Sequence, residues 1–129
     1  MMGGISSDRG IGRADDGVAA VEFAIMAPVF LAMLFGAIYL SMLAFNFVGL
    51  HNAVEDAARC AAVKKTVCTD AATTAAYAQD RFMGFEISPT FTYAAANCGS
   101  EVTGTATFAV NAVLYTFPVS LSATACYPS

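Results

Sequence analysis

"GVAAVEFAIMAPVFLAMLFGAIYLSMLAFNFVGL" occupies residues 17–50, and from 23 to 50 it runs 28 residues without a charge. As an α-helix that run would be about 42 Å long, against a bilayer hydrocarbon core of about 30 Å. The expectation is a transmembrane helix that leaves the bilayer still helical. A cleaved secretory signal fits worse, because its apolar region covers only about 7–15 residues and ends at a small-residue site. "SMLAFN" offers no such site. Glu22 stands at the entrance to the run and Pro28 six positions later. A carboxylate at the centre of a membrane helix costs roughly 2.5–3.5 kcal/mol, so an ionisable group placed here reads as functional.

Composition narrows the remaining choices. A chain of 129 residues has room for one domain, and its 12% charged residues fall well below the usual share of about 25%. The net charge of −4 excludes a basic face for nucleic acid. Cys60, Cys68, Cys98 and Cys126 all follow the apolar run, which predicts two disulfides in an oxidising compartment. None is spaced C-x-x-C and His51 stands alone, so no zinc site and no other cofactor is expected. No phosphate loop, nucleophile elbow or catalytic constellation appears, and the chain does not read as an enzyme. Arg9 and Arg13 before the run are balanced by Arg59, Lys64 and Lys65 after it. The cysteines therefore set the expected orientation, with the C-terminal part outside the cytoplasm.

Residues 1–17 hold five glycines and five charges and are expected to be a disordered leader. The helix is predicted from about Val18 to about Lys65. Leu50, Val54, Ala57, Ala58 and Ala61 fall on one of its faces, while Asn52, Glu55, Asp56 and Arg59 share the other. Thr69 or Asp70 would cap a second helix ending near Gly84. The period then changes to two. Phe85, Ile87, Phe91 and Tyr93 alternate with polar residues around Pro89, which restricts that segment to a sheet edge. "NCGS" at 97–100 reads as a turn. Val102, Ala106, Phe108 and Val110, then Val119, Leu121, Ala123 and Ala125, mark two further amphipathic strands. The expected fold is α+β: a long helix continuing into a small outer domain with a short helix and three or four antiparallel strands, whose apolar face the helix covers. Of the three ways to pair four cysteines, Cys60–Cys68 would clasp the helix end and Cys98–Cys126 would tie a turn to the last strand.

A glycine, four residues, a glutamate and then an apolar helix form the pattern of type IV prepilins. "GVAAVEFAIMAPVFLAMLFG", "HNAVEDAARCAA" and the closing "LSATACYP" resemble the TadE/TadG-like minor pilins, or pseudopilins, of tight-adherence, Flp-type pili. The likeness extends over nearly all of the chain after Gly17 and is most specific in its first twenty residues. It implies a pilin-like layout of leader 1–17, membrane helix 18–50 and outer domain 51–129. It further implies cutting between Gly17 and Val18 by a prepilin peptidase. Glu22 would meet the new α-amino group of a neighbouring subunit, with Phe23 and Pro28 beside it as assembly residues. The implied partners are other pilin subunits, the inner-membrane assembly platform and the membrane itself, without nucleic acid. The implied location is the bacterial inner membrane, crossed once, with the C-terminal domain in the periplasm and possible entry into an extracellular pilus. An unprocessed single-span envelope protein with a ligand-binding or sensing outer domain is the alternative, and Gly17 with Glu22 separates the two.

Overall fold

Helix α1 runs from Ile11 to Val63 in the computed structural model of the chain, which describes residues 11–129. It starts seven residues before the expected position at Val18, so the part of the anticipated leader from Ile11 to Gly17 is helical rather than disordered. Residues 1–10 lie outside the described part. The early start has a simple cause: nucleating a helix is costly, but extending one already formed adds a hydrogen bond for each residue fixed. The chain divides after Ile38 into two compact units.

In the first unit the described side chains of α1 are exposed, apart from a half-buried Ala27. The second unit, Tyr39–Ser129, holds the rest of α1, helix α2 (Ala71–Arg81) and strands β1 (Thr90–Ala96), β2 (Gly99–Asn111) and β3 (Thr116–Tyr127). The strands form one antiparallel sheet in the order β1-β2-β3. Both outer strands carry their prolines where the ladder tolerates them, Pro89 just before β1 and Pro118 within β3. The β1–β2 hairpin turns on Asn97 and Cys98, with Ala96 opposite Gly99. Gly99 has φ +126, and a Cβ there would strike the Tyr127 carbonyl.

The core lies between α1 and the sheet. Leu50, Ala53, Val54, Ala57 and Ala58 of α1 are buried against Phe91, Val102, Phe108, Leu121 and Ala123, with Ala78 of α2 beside them. Each fully buried Leu or Val contributes about 1.5–3 kcal/mol. The three alanines give the helix a shallow face, and Gly104 gives the sheet a matching hollow. A Cβ on Gly104 would sit 2.8 Å from the Phe91 ring and 2.9 Å from Leu50 Cδ1. Close approach is thus written into small residues on both surfaces.

Asp70 caps α2, and its carboxylate accepts from the Thr73 backbone N–H at 2.8 Å. In return the Asp70 N–H donates to the Thr73 hydroxyl at 3.0 Å, which completes a capping box. The Arg81 guanidinium lies over the Tyr77 ring, 5.1 Å from its centroid. Phe85 and Ile87 do not extend β1, contrary to their alternation. Glu86 has φ +55, and Asn46 of α1 takes both backbone polar groups of Phe85. A residue so engaged has nothing left for a ladder.

Candidate assembly helix and its family

Helical geometry places Val18, Ile25, Met26 and Val29 around Glu22, at three, four and seven residues from it. All four are exposed, as is the carboxylate they surround. A charge on a surface otherwise this apolar is costly in lipid unless it reaches water or meets a cation. Phe23 lies beside Glu22 and is 73% exposed. Pro28 cannot donate to the Ala24 carbonyl, yet α1 passes through it without a break.

Small residues recur along the same stretch at Ala20, Ala24, Ala32 and Gly36, with Ala44 further on and Pro28 in the row. A Cβ built on Gly36 or on Gly17 meets nothing within 4 Å. These glycines are therefore not shaped by packing against the described residues. Small residues at this spacing let a second helix approach closely.

Residues 17–59 match the family described as TadE-like protein. Over that stretch the chain is similar to TadE-like proteins. The match starts at Gly17 and takes in Glu22, Phe23, Pro28 and the buried face of α1 from Leu50 to Ala58. The TadE-like segment is about a third of the chain, and the sheet lies beyond it. No curated protein and no solved structure matches the chain significantly. The TadE-like helix is long and apolar enough for a single membrane span.

Cys60 is bridged to Cys68 and Cys98 to Cys126, with Cα separations of 5.8 and 6.2 Å. The first bridge joins the end of α1 to the segment leading into α2; the second joins the β1–β2 turn to β3. Glu101 comes close to Cys98 and Cys126 in a grouping of metal-ligand type. Both sulfurs are spent in the bridge, however, and neither is a thiolate. The half-buried His51 ring packs edge-on against Phe47 at 4.6 Å.

Three residues of structural consequence escape a reading by hydropathy. Asn46 is fully buried, Tyr39 donates to the Asn111 carbonyl at 3.2 Å, and Leu114 stands 90% exposed. Asn46 had a visible signal, an amide within a run of apolar residues. Tyr39 and Leu114 had none, because each merely adds to the hydropathy around it.

Proposed function

We propose that this chain is a minor pilin, or pseudopilin, of a Flp-type tight-adherence pilus. It is held in the bacterial inner membrane by residues 18–50 of α1, with the outer domain, residues 51–129, in the periplasm. The observation that carries this reading is Glu22, an exposed carboxylate ringed by apolar side chains in a TadE-like segment that starts at Gly17.

A prepilin peptidase cuts between Gly17 and Val18 and leaves a mature chain of 112 residues, counted from the sequence. Both residues lie within α1, so the peptide must be unwound to be cut. Glycine lowers that barrier, since it favours the helix less than alanine by about 0.8–1.0 kcal/mol. The Glu22 carboxylate of one subunit then pairs with the new α-amino group of the next. Pairing offsets the cost of a charge in an apolar helix bundle and sets the axial register between subunits. The small-residue row allows neighbouring helices to come close, and Pro28 loosens the helix where the Ala24 carbonyl lacks its donor. Other pilin subunits and the assembly platform are the partners, and adherence is the property served.

An unprocessed envelope anchor is favoured by one observation, that α1 continues through Gly17 toward Ile11 without interruption. Intact mass and N-terminal sequencing of the protein from its native membrane separate the two readings. A start at Val18 supports the pilin. A start at Met1 in cells with an active prepilin peptidase overturns it.

A further inference from the structure

The turn between β2 and β3 leaves its largest side chains bare. Val113 is fully exposed and Leu114 90% exposed, with Tyr115 and Phe117 largely exposed beside them. A solvated turn favours Gly, Asn, Asp or Ser, yet residues 111–118 read "NAVLYTFP". The turn is nonetheless well built. Ala112 and Tyr115 exchange backbone hydrogen bonds of 2.7 and 3.2 Å. The Thr116 hydroxyl donates to Asn111 Oδ1 at 3.1 Å, and the Tyr115 and Phe117 rings stack at 5.9 Å. An ordered apolar patch of this kind marks a contact with a protein or a membrane.

The Tyr39 hydroxyl donates to the Asn111 carbonyl at 3.2 Å, so the base of the turn is tied to the point where α1 enters this unit. The uncharged run of α1 continues to residue 50, well inside the unit. There Leu40, Phe45, Phe47 and Val48 are exposed, and Phe45 meets the exposed Phe85 at 5.2 Å. Charge is kept away from this end. Residues 102–129 have no charged side chain, and the first on α1 after Tyr39 is Glu55, about 24 Å along the helix axis. The exposed Glu86 adjoins Phe85, which Asn46 holds about 10 Å along the axis from Tyr39.

We infer that the β2–β3 turn is a second membrane contact: Val113, Leu114, Tyr115 and Phe117 enter the leaflet from which α1 emerges. The inference rests on α1 spanning the bilayer. Lipid is favoured as the occupant because Tyr39, bonded to the base of the turn, belongs to the uncharged run of α1, where its neighbour Leu40 is exposed. The chemistry of the turn agrees with this. The Ala112–Tyr115 exchange satisfies backbone groups that lipid could not, and tyrosine suits the boundary between headgroups and acyl chains. The outer domain thereby meets the bilayer at the turn as well as through α1.

The chain has no tryptophan, so Leu114→Trp introduces a single fluorescent reporter at an exposed site. The full chain is reconstituted in phosphatidylcholine vesicles with and without bromine on the acyl chains. Phe35→Trp reports on the helix, and Lys65→Trp reports on a position outside the apolar end. Blue-shifted Leu114→Trp emission that brominated lipid quenches, as it quenches Phe35→Trp and not Lys65→Trp, is the expected result. Quenching at position 35 with solvent-like, unquenched emission at 114 overturns the inference and leaves the span standing. Blue-shifted but unquenched emission at 114 assigns the turn to a second copy of the chain and equally overturns it. Unquenched emission at position 35 removes the span, and the second contact falls with it.

Discussion

Asn46 and Phe85, 39 residues apart, are joined by two hydrogen bonds: Asn46 Nδ2 donates to the Phe85 carbonyl at 3.1 Å, and Asn46 Oδ1 accepts from the Phe85 N–H at 2.7 Å. Gly84 makes room for the amide, since a Cβ there would lie 2.7 Å from Oδ1. One buried side chain of α1 thus fixes the path of the segment between α2 and β1.

Asn46→Leu keeps the branching of the side chain, at a larger volume, and removes both partners from the Phe85 backbone. A buried polar group left unpaired costs about 1–3 kcal/mol, and the substitution is expected to destabilise the outer unit by about 2–3 kcal/mol. Chemical unfolding of the full chain in detergent micelles, followed by near-UV circular dichroism, measures the loss. A variant as stable as the parent would show that water replaces the amide without cost.

The bridges differ in the length of chain they close, 8 residues for Cys60–Cys68 and 28 for Cys98–Cys126. Loop-closure entropy assigns them about 2.5 and about 3.6 kcal/mol, respectively. The paired serine variant at 98 and 126 should accordingly unfold at a lower denaturant midpoint than the pair at 60 and 68. The opposite order would mean that native contacts around Cys60, rather than constraint of the unfolded chain, dominate.

Acid should weaken the start of α2. The Thr73 backbone N–H, and after it the Thr73 hydroxyl, hold the exposed Asp70 carboxyl below the usual aspartate range. A lowered folded-state value means that this contribution is complete above the unfolded-state value and is lost as pH falls through the folded one. Asp70→Asn keeps a capping oxygen but has no titrating charge, so its stability should vary less with pH across the acid range. Parallel pH slopes for the two proteins would remove Asp70 as the source.

Glu22→Ala separates insertion from assembly. The carboxylate lies outside the core of the outer unit, so the variant should fold and enter the membrane at parental levels. Its incorporation into pili should fall by at least an order of magnitude, as the loss of about 1.4 kcal/mol per subunit contact would already produce. Immunoblots of sheared pili against membrane fractions give the ratio. Normal incorporation would leave Glu22 as a residue that only reaches the headgroups.

Much of the fold was legible because its signals are periodic. Leu50, Val54, Ala57, Ala58 and Ala61 recur with the helix repeat, and all are buried. Asp70 sits before α2 as capping chemistry requires, and alternation in β2 and β3 marks their inward faces. Phe85 and Ile87 misled for a physical reason. Period-two alternation does not reveal that a distant amide has claimed the backbone, nor that Glu86 turns the chain at φ +55. The early start of α1 was hidden by glycines whose weak helix propensity is outweighed once propagation begins. In the assembly segment Glu22 was plain, because a charge at the entrance to an apolar run is conspicuous by its cost. The β2–β3 turn was not, since exposure belongs to the fold and not to the composition of "NAVLYTF".

The pairing of β3 with β2 runs from Ser100↔Tyr127 to Asn111↔Thr116. Val119, Leu121, Ala123 and Ala125 repeat every second residue, so a slide of two positions would keep each inward side chain inward. Hydrophobicity does not distinguish these alignments. A two-residue slide moves Cys126 by about 7 Å relative to Cys98, beyond what a disulfide accommodates. The Cys98–Cys126 bond is therefore an index mark, and it counts residues along a strand whose serines, threonines and alanines count poorly for themselves. Oxidation selects the alignment. The outward residues of β3 are then free to drift, provided that Cys126 stays five residues beyond Leu121.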